Sequence, residues 1–350
     1  MEFTSPFVAT GIGSFPHQEE RKVLDLLLQN FPDIPFWPQL PKRSFLEGMV
    51  VQYSVCFPSL RLDPNEQKVW IDLSEGFDRE VERFYQAWET EDLEAFRISE
   101  NFSRGLYLIE ELISTSHRKK IKYIKGQVIG PITFGLSLTD QERKPIFYDP
   151  TLKDILIKHL SSKARWVEKR LNDLFPEIPT LLFFDEPGIS SFGSAFSILS
   201  REEIIDSLNE CFKSVKGLKG VHCCGNTDWS MLLSTHLDIL SFDAYGYLEN
   251  LSLYPQELKA FLERGGVLAW GIVPTGEEIL KEDAKSLVKR FKKGVEMLSK
   301  EGIDPVLLKR AILTPSCGTA SLSIPLAERA CKLTAEVSKR LMEMESGILL

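Results

Sequence analysis

The chain has 350 residues, 43% of them hydrophobic and 26% charged, an ordinary globular composition long enough for one large barrel or two average domains. Its net charge is −8, with Lys and Arg scattered rather than grouped, which argues against a nucleic-acid partner. No run of about 20 apolar residues occurs, and residues 1–10 carry no signal-peptide pattern, so the reading is a cytoplasmic protein with no membrane partner.

In chain order, strand-like apolar runs fall at 7–13, within 34–53, and at 121–129, 180–184, 220–224, 239–242, 267–270 and 311–313. Amphipathic stretches at 149–174, 200–216, 281–301 and 324–345 predict helices, the last with Leu326, Ala330, Leu333, Val337 and Leu341 on one face. Ser200 with Glu203 three residues later is a capping-box pattern. Residues 54–120 show no strand pattern and read as extra helices, at 78–89 and 92–114. Strands alternating with helices predict one α/β domain over residues 1–350, a closed (β/α)8 TIM barrel with helices inserted after the second strand. An open dinucleotide-binding sheet is the competing fold, but Gly11-Ile12-Gly13 runs into Ser14-Phe15-Pro16, with proline where a third glycine belongs.

Six cysteines are too few for a disulfide scaffold. Cys56, Cys211 and Cys331 sit among apolar neighbours and read as buried small hydrophobes. His117 and His159 fall on charged helical faces and read as solvated.

The chemistry concentrates in Gly220-Val221-His222-Cys223-Cys224-Gly225. Side chains alternate along a strand, so His222 and Cys224 share a face while Cys223 points the other way. At a barrel strand's end, that pair stands at the mouth. Zinc favours imidazole and thiolate ligands, and Cys317, beyond the last strand, offers a third. Ligands drawn from distant strand ends suit a catalytic metal with an open position better than a structural one, which uses close Cys pairs. Taken alone, His222-x-Cys224 would read as a satisfied core histidine beside a buried thiol. Asp243, ending the next strand, can be a fourth ligand, a partner orienting His222, or a helix cap. Asp185, followed by Glu186 and Pro187, ends an apolar strand and is either a functional acid or a helix cap.

Taken together, Ile12-Gly13-Ser14-Phe15-Pro16, Gly130-Pro131-Ile132-Thr133, Asp185-Glu186-Pro187, His222-x-Cys224 and Cys317-Gly318 resemble the catalytic half of cobalamin-independent methionine synthase, in the same order. The wider superfamily includes uroporphyrinogen decarboxylase and corrinoid-dependent thiol methyltransferases, which Cys224-Gly225-Asn226-Thr227 resembles more closely. The resemblance implies a zinc-dependent methyltransferase with His222, Cys224 and Cys317 as ligands and Asp243 in place of a family glutamate. It implies that Ser14 and the backbone around Gly13 hold the carboxylate of a thiol such as homocysteine, and Asp185 its ammonium. A further family acid after the second strand corresponds to Glu47, with Gln39 second.

Departures from the family carry information too. Full-length members have a second, N-terminal barrel, for which 350 residues leave no room. Ser137 stands where the family stacks a tryptophan on folate, and Trp270-Gly271-Ile272-Val273-Pro274 is followed by no histidine to donate a proton. These losses imply a methylated corrinoid, carried by a separate protein, as donor to the small thiol. Coenzyme M or another thiol as acceptor, a porphyrinogen decarboxylase, and a non-catalytic zinc or thiol sensor are the competing functions.

Overall fold

The computed structural model describes residues 3–74, 76–112, 115–192 and 199–346. Its strands are β1 (Val8–Ala9), β2 (Leu60–Asp63), β3 (Lys68–Ile71), β4 (Ile124–Ile129), β5 (Thr180–Asp185), β6 (Leu218–Cys223), β7 (Ile239–Phe242), β8 (Val267–Val273) and β9 (Ala311–Pro315). Seven of these form one curled parallel sheet in the order β1-β9-β8-β7-β6-β5-β4, and β2 pairs with β3 as a separate antiparallel hairpin.

The fold is TIM-barrel-like, but the closed barrel expected from the sequence is not formed. The second strand is missing as a strand. Residues 31–41 carry proline at 32, 35, 38 and 41, and a residue without an N–H cannot extend a ladder. The segment crosses the gap on single bridges instead, Ser14 to Gln39 on one side and Phe36 to Lys125 on the other.

Alternation sorts the strand residues into two layers. Val8, Leu181, Phe183, Leu218, Ile239, Val267 and Ile312 fill the inside of the curl as one apolar cluster. Val221, Cys223, Leu240, Phe242 and Leu268 face the surrounding helices in the larger core. The predicted helices form at Pro150–Leu174, Arg201–Lys213, Ala284–Lys300 and Ile324–Glu345, and Ser200 with Glu203 makes the capping box.

The insertion departs from the all-helical expectation. The helix Phe77–Glu89 forms, but the β2–β3 hairpin precedes it, on a turn at Pro64-Asn65-Glu66-Gln67 that lacks the glycine signal of tight hairpins. The expected helix 92–114 breaks into two short 3-10 turns and the helix Arg104–Leu112, with residues 113 and 114 outside the described ones. This insertion covers the long helix Pro150–Leu174, so His159 is fully buried beneath the rings of Phe57, Phe84 and Phe96 rather than solvated. Cys211 and Cys331 are buried as expected, whereas Cys56 is exposed. Among the described residues, no helix is long and apolar enough to cross a membrane.

Candidate metal centre

The site lies at the C-terminal ends of the parallel strands, where a barrel sheet converges its strand termini. His222 ends the inward row Leu218, Gly220, His222 of β6, and Cys224 follows directly. Gly220 is required beneath it, since a Cβ there would come within 2.5 Å of the Phe183 ring. Cys317 arrives from the loop after β9. One ligand atom each from His222, Cys224 and Cys317 falls within 4.8 Å of the others, close enough to share one ion.

The donor chemistry fits a metal. His222 Nδ1 lies 2.9 Å from Ser241 Oγ, while Nε2 is buried with no hydrogen-bond partner. A buried ring nitrogen left unpaired is costly unless something else takes its lone pair. The Cys224 thiol is pushed well below its ordinary range, first by the hydrogen bond from Cys317 and then by the His222 ring. Cys317 is raised in turn by the neighbouring Cys224 sulfur and by burial. Two thiols this close to each other and to an imidazole form a donor set from which a thiophilic cation displaces the thiol protons. Cys223, across the strand, packs into the helix-facing core, where burial raises its thiol to about 12.

Asp243 does not join the three. It caps the helix Ala244–Leu251, its Oδ1 accepting from Gly246 N at 2.8 Å, and burial lifts its carboxyl to about 6. Asp185 and Glu47 line a cavity of about 340 Å³ together with His222, Cys224, Cys317, Ser14 and Gln39. Asp185 is the register partner of His222 on β5, and its Oδ1 is buried without a partner. Burial lifts its carboxyl to about 6, against the pull of the His222 and Lys125 charges. Glu47 accepts from Arg43 Nε at 2.6 Å through Oε1, while its Oε2 is buried and unpaired. Burial raises this carboxyl as well, with Arg43 opposing.

Ser14 is held from both sides. Its carbonyl accepts from Thr319 N at 2.8 Å and Thr319 Oγ1 at 3.0 Å, tying it to the loop that carries Cys317. A Cβ on Gly318 would come within 2.1 Å of Ser14 Oγ, so that position needs glycine for close approach. Gly13 faces Gln39, whose Nε2 donates to Gln52 Oε1 at 2.9 Å and Tyr53 Oη at 3.2 Å. Tyr53 Oη then donates to the Gln127 carbonyl at 2.7 Å.

Sequence reasoning passed over four positions. Ser241 is a lone polar residue inside Ile239-Leu240-Ser241-Phe242, a signal in itself. Lys125 and Gln127 alternate with Ile124, Gly126 and Val128, so a polar inward face was written into β4. Lys125 Nζ donates to the Ile12 carbonyl at 2.7 Å, beneath the Ser14 loop, and burial lowers its pKa to about 8. Glu186 was noted only as a neighbour of Asp185. It is fully buried and accepts from Ile132 N, Thr133 N and Thr133 Oγ1, which joins two motifs far apart in sequence.

No family model and no curated protein matches the chain. Among solved structures it is similar to a B12-independent methionine synthase from Shewanella sp. W3-18-1 in complex with selenomethionine, at 18% identity and a TM-score of 0.46 over 66% of each chain. It is also similar to a Listeria monocytogenes protein assigned as a vitamin-B12 independent methionine synthase, at 17% identity and a TM-score of 0.44, over 63% of this chain and 64% of that one. The chain thus spans just under two thirds of either protein's length.

Proposed function

We propose that the chain is a zinc-dependent methyltransferase that methylates an amino-thiol of the homocysteine type. The observation that carries this reading is the convergence of His222, Cys224 and Cys317 in one cavity with two unpaired carboxylate oxygens, on Asp185 and Glu47. Zinc held by the three would bind the substrate sulfur as a thiolate at neutral pH, in an otherwise open position.

The rest of the chemistry belongs to the chain. Asp185 and Glu47 offer acceptors for an ammonium group, and Ser14 stands between them and the Cys317 loop to take a carboxylate. Among the described residues, no lysine or arginine lines the cavity, which disfavours coenzyme M, whose sulfonate needs a cation, and a porphyrinogen with several carboxylates. Two cavity-lining acids and a donor set with a free position support turnover over sensing. Alignment of sulfur and methyl group is then a positioning task for these fixed side chains.

The donor we propose is a methylated corrinoid on a separate protein. Ser137 is exposed at the end of the helix Pro131–Ser137 and presents no ring for a folate to stack on. The segment after β8 holds Thr275, bonded to Ser316 Oγ, where the motif resemblance calls for a histidine. A corrinoid leaves without needing a proton, so no acid is required there.

Zinc analysis of the wild type, Cys224→Ser and Cys317→Ser tests the site. Near-stoichiometric metal in the wild type and its loss in both variants is expected; retention in both would overturn the assignment. Assays of homocysteine with methylcobalamin and with methyltetrahydrofolate test the donor, and turnover with the folate would refute the corrinoid.

A further inference from the structure

We propose that Ser241 is the positioning residue that sets the tautomer of His222 and so makes Nε2 the metal-binding nitrogen, a role that rests on the zinc reading above. Three observations carry it. His222 and Ser241 are register partners on β6 and β7, so alternation aims both side chains into the curl at the same height. Their polar atoms meet, Nδ1 to Oγ, at 2.9 Å, with both residues almost fully buried. The other ring nitrogen, Nε2, is buried and has no hydrogen-bond partner.

A neutral imidazole carries one hydrogen, on one nitrogen or the other. When it sits on Nδ1, that N–H donates to Ser241 Oγ and Nε2 presents a lone pair. When it sits on Nε2, Ser241 Oγ can still donate to Nδ1, but the N–H then points toward the two sulfurs and Nε2 has no lone pair left for a metal. Only the first arrangement leaves Nε2 able to ligate, and Ser241 Oγ is the acceptor that satisfies the buried Nδ1–H in it. Metal-binding histidines commonly draw this orientation from a carboxylate. The carboxylate that follows the same strand, Asp243, is committed to capping its helix, and the hydroxyl two residues before it meets Nδ1 instead. A hydroxyl also adds no negative charge behind a ligand set that already contains two sulfurs.

The test uses the full chain, stripped of metal and labelled with nitrogen-15 at its five histidines, with His222 assigned by comparison with His222→Gln. We expect the Nδ1–H tautomer for His222 in the wild type and in Ser241→Thr, and its loss or mixing in Ser241→Ala. Zinc affinity, measured by competition with a chelating dye, is expected to fall about 10- to 100-fold in Ser241→Ala and to recover in Ser241→Thr. An Nε2–H tautomer in the wild type, or an unchanged tautomer and affinity in Ser241→Ala, would overturn the role. A wild type that takes up no zinc would sink the metal reading instead, while the tautomer, read on metal-free protein, still decides for or against Ser241.

Discussion

Asp185 and His222 stand directly across from each other on adjacent parallel strands, so an acid and an imidazole share one level of the mouth. On the proposed reading, the pairing sets the acid that would take the substrate's ammonium beside the group that would activate its sulfur. Replacing Asp185 by Asn keeps the shape and removes the charge. Loss of one partner from a buried, hydrogen-bonded charge pair costs about 2 kcal/mol or more, so kcat/KM for homocysteine should fall at least about 30-fold. Zinc content should stay at the wild-type level. Unchanged kinetics would remove Asp185 from substrate binding.

Glu186 governs stability rather than chemistry. Its carboxylate satisfies two backbone N–H groups and one hydroxyl at the start of the helix Pro131–Ser137. Glu186→Ala would strand these donors in a buried place, at about 1–3 kcal/mol for each one left unsatisfied. Gly130→Ala should act through the same contact, because its Cβ would come within 2.2 Å of the Glu186 side chain. Both variants should lose several degrees in thermal unfolding. Wild-type melting in either one would show that the two motifs are not locked together.

Metal removal should spare the fold. The three ligands sit at strand ends above an apolar plug that is complete without them. Chelation is therefore expected to abolish methyl transfer and lower the melting temperature, since ligand binding stabilises by mass action. Far-UV circular dichroism should remain unchanged. Unfolding on chelation would make the metal structural.

His159 predicts an acid-side slope in stability. Burial holds this ring neutral down to about pH 3, well under its ordinary value of 6.5, and its Nε2 meets the Tyr53 carbonyl at 2.7 Å. A depressed folded-state value means that the unfolded chain binds the extra proton first. The contribution is thus present above pH 6.5 and is lost as pH falls toward 3, by up to about 1.4 kcal/mol per pH unit. Denaturant titrations of wild type and His159→Gln across this window should differ in slope, the variant being flatter. Parallel curves would refute the assignment.

The sequence made the site more legible than the frame around it. His222, Cys224 and Cys317 were recoverable because strand alternation and ligand chemistry both constrain them, and they meet within 4.8 Å. The parallel order of β4 to β9 followed from alternating apolar runs and helices. The missing second strand was harder to see, since apolar residues around Pro35 and Pro38 imitate a strand while the prolines deny it a ladder. His159 was misjudged for a different reason. Its burial comes from rings on a distant insertion, and helical periodicity within residues 150–174 holds no record of that cover.

The gap between β1 and β4 gives the mouth an unequal wall. Parting β5 from β6 would break a ladder running from Leu181 to Asp185, whereas the stretch bearing Gln39 is stitched to Ser14 by a single bridge. Amide hydrogens along that stitch should therefore exchange with solvent long before those of β5 and β6. This side of the rim is then the part that yields most readily, and a molecule gripping Ser14 on one lip and Asp185 on the other would draw it shut like a clasp.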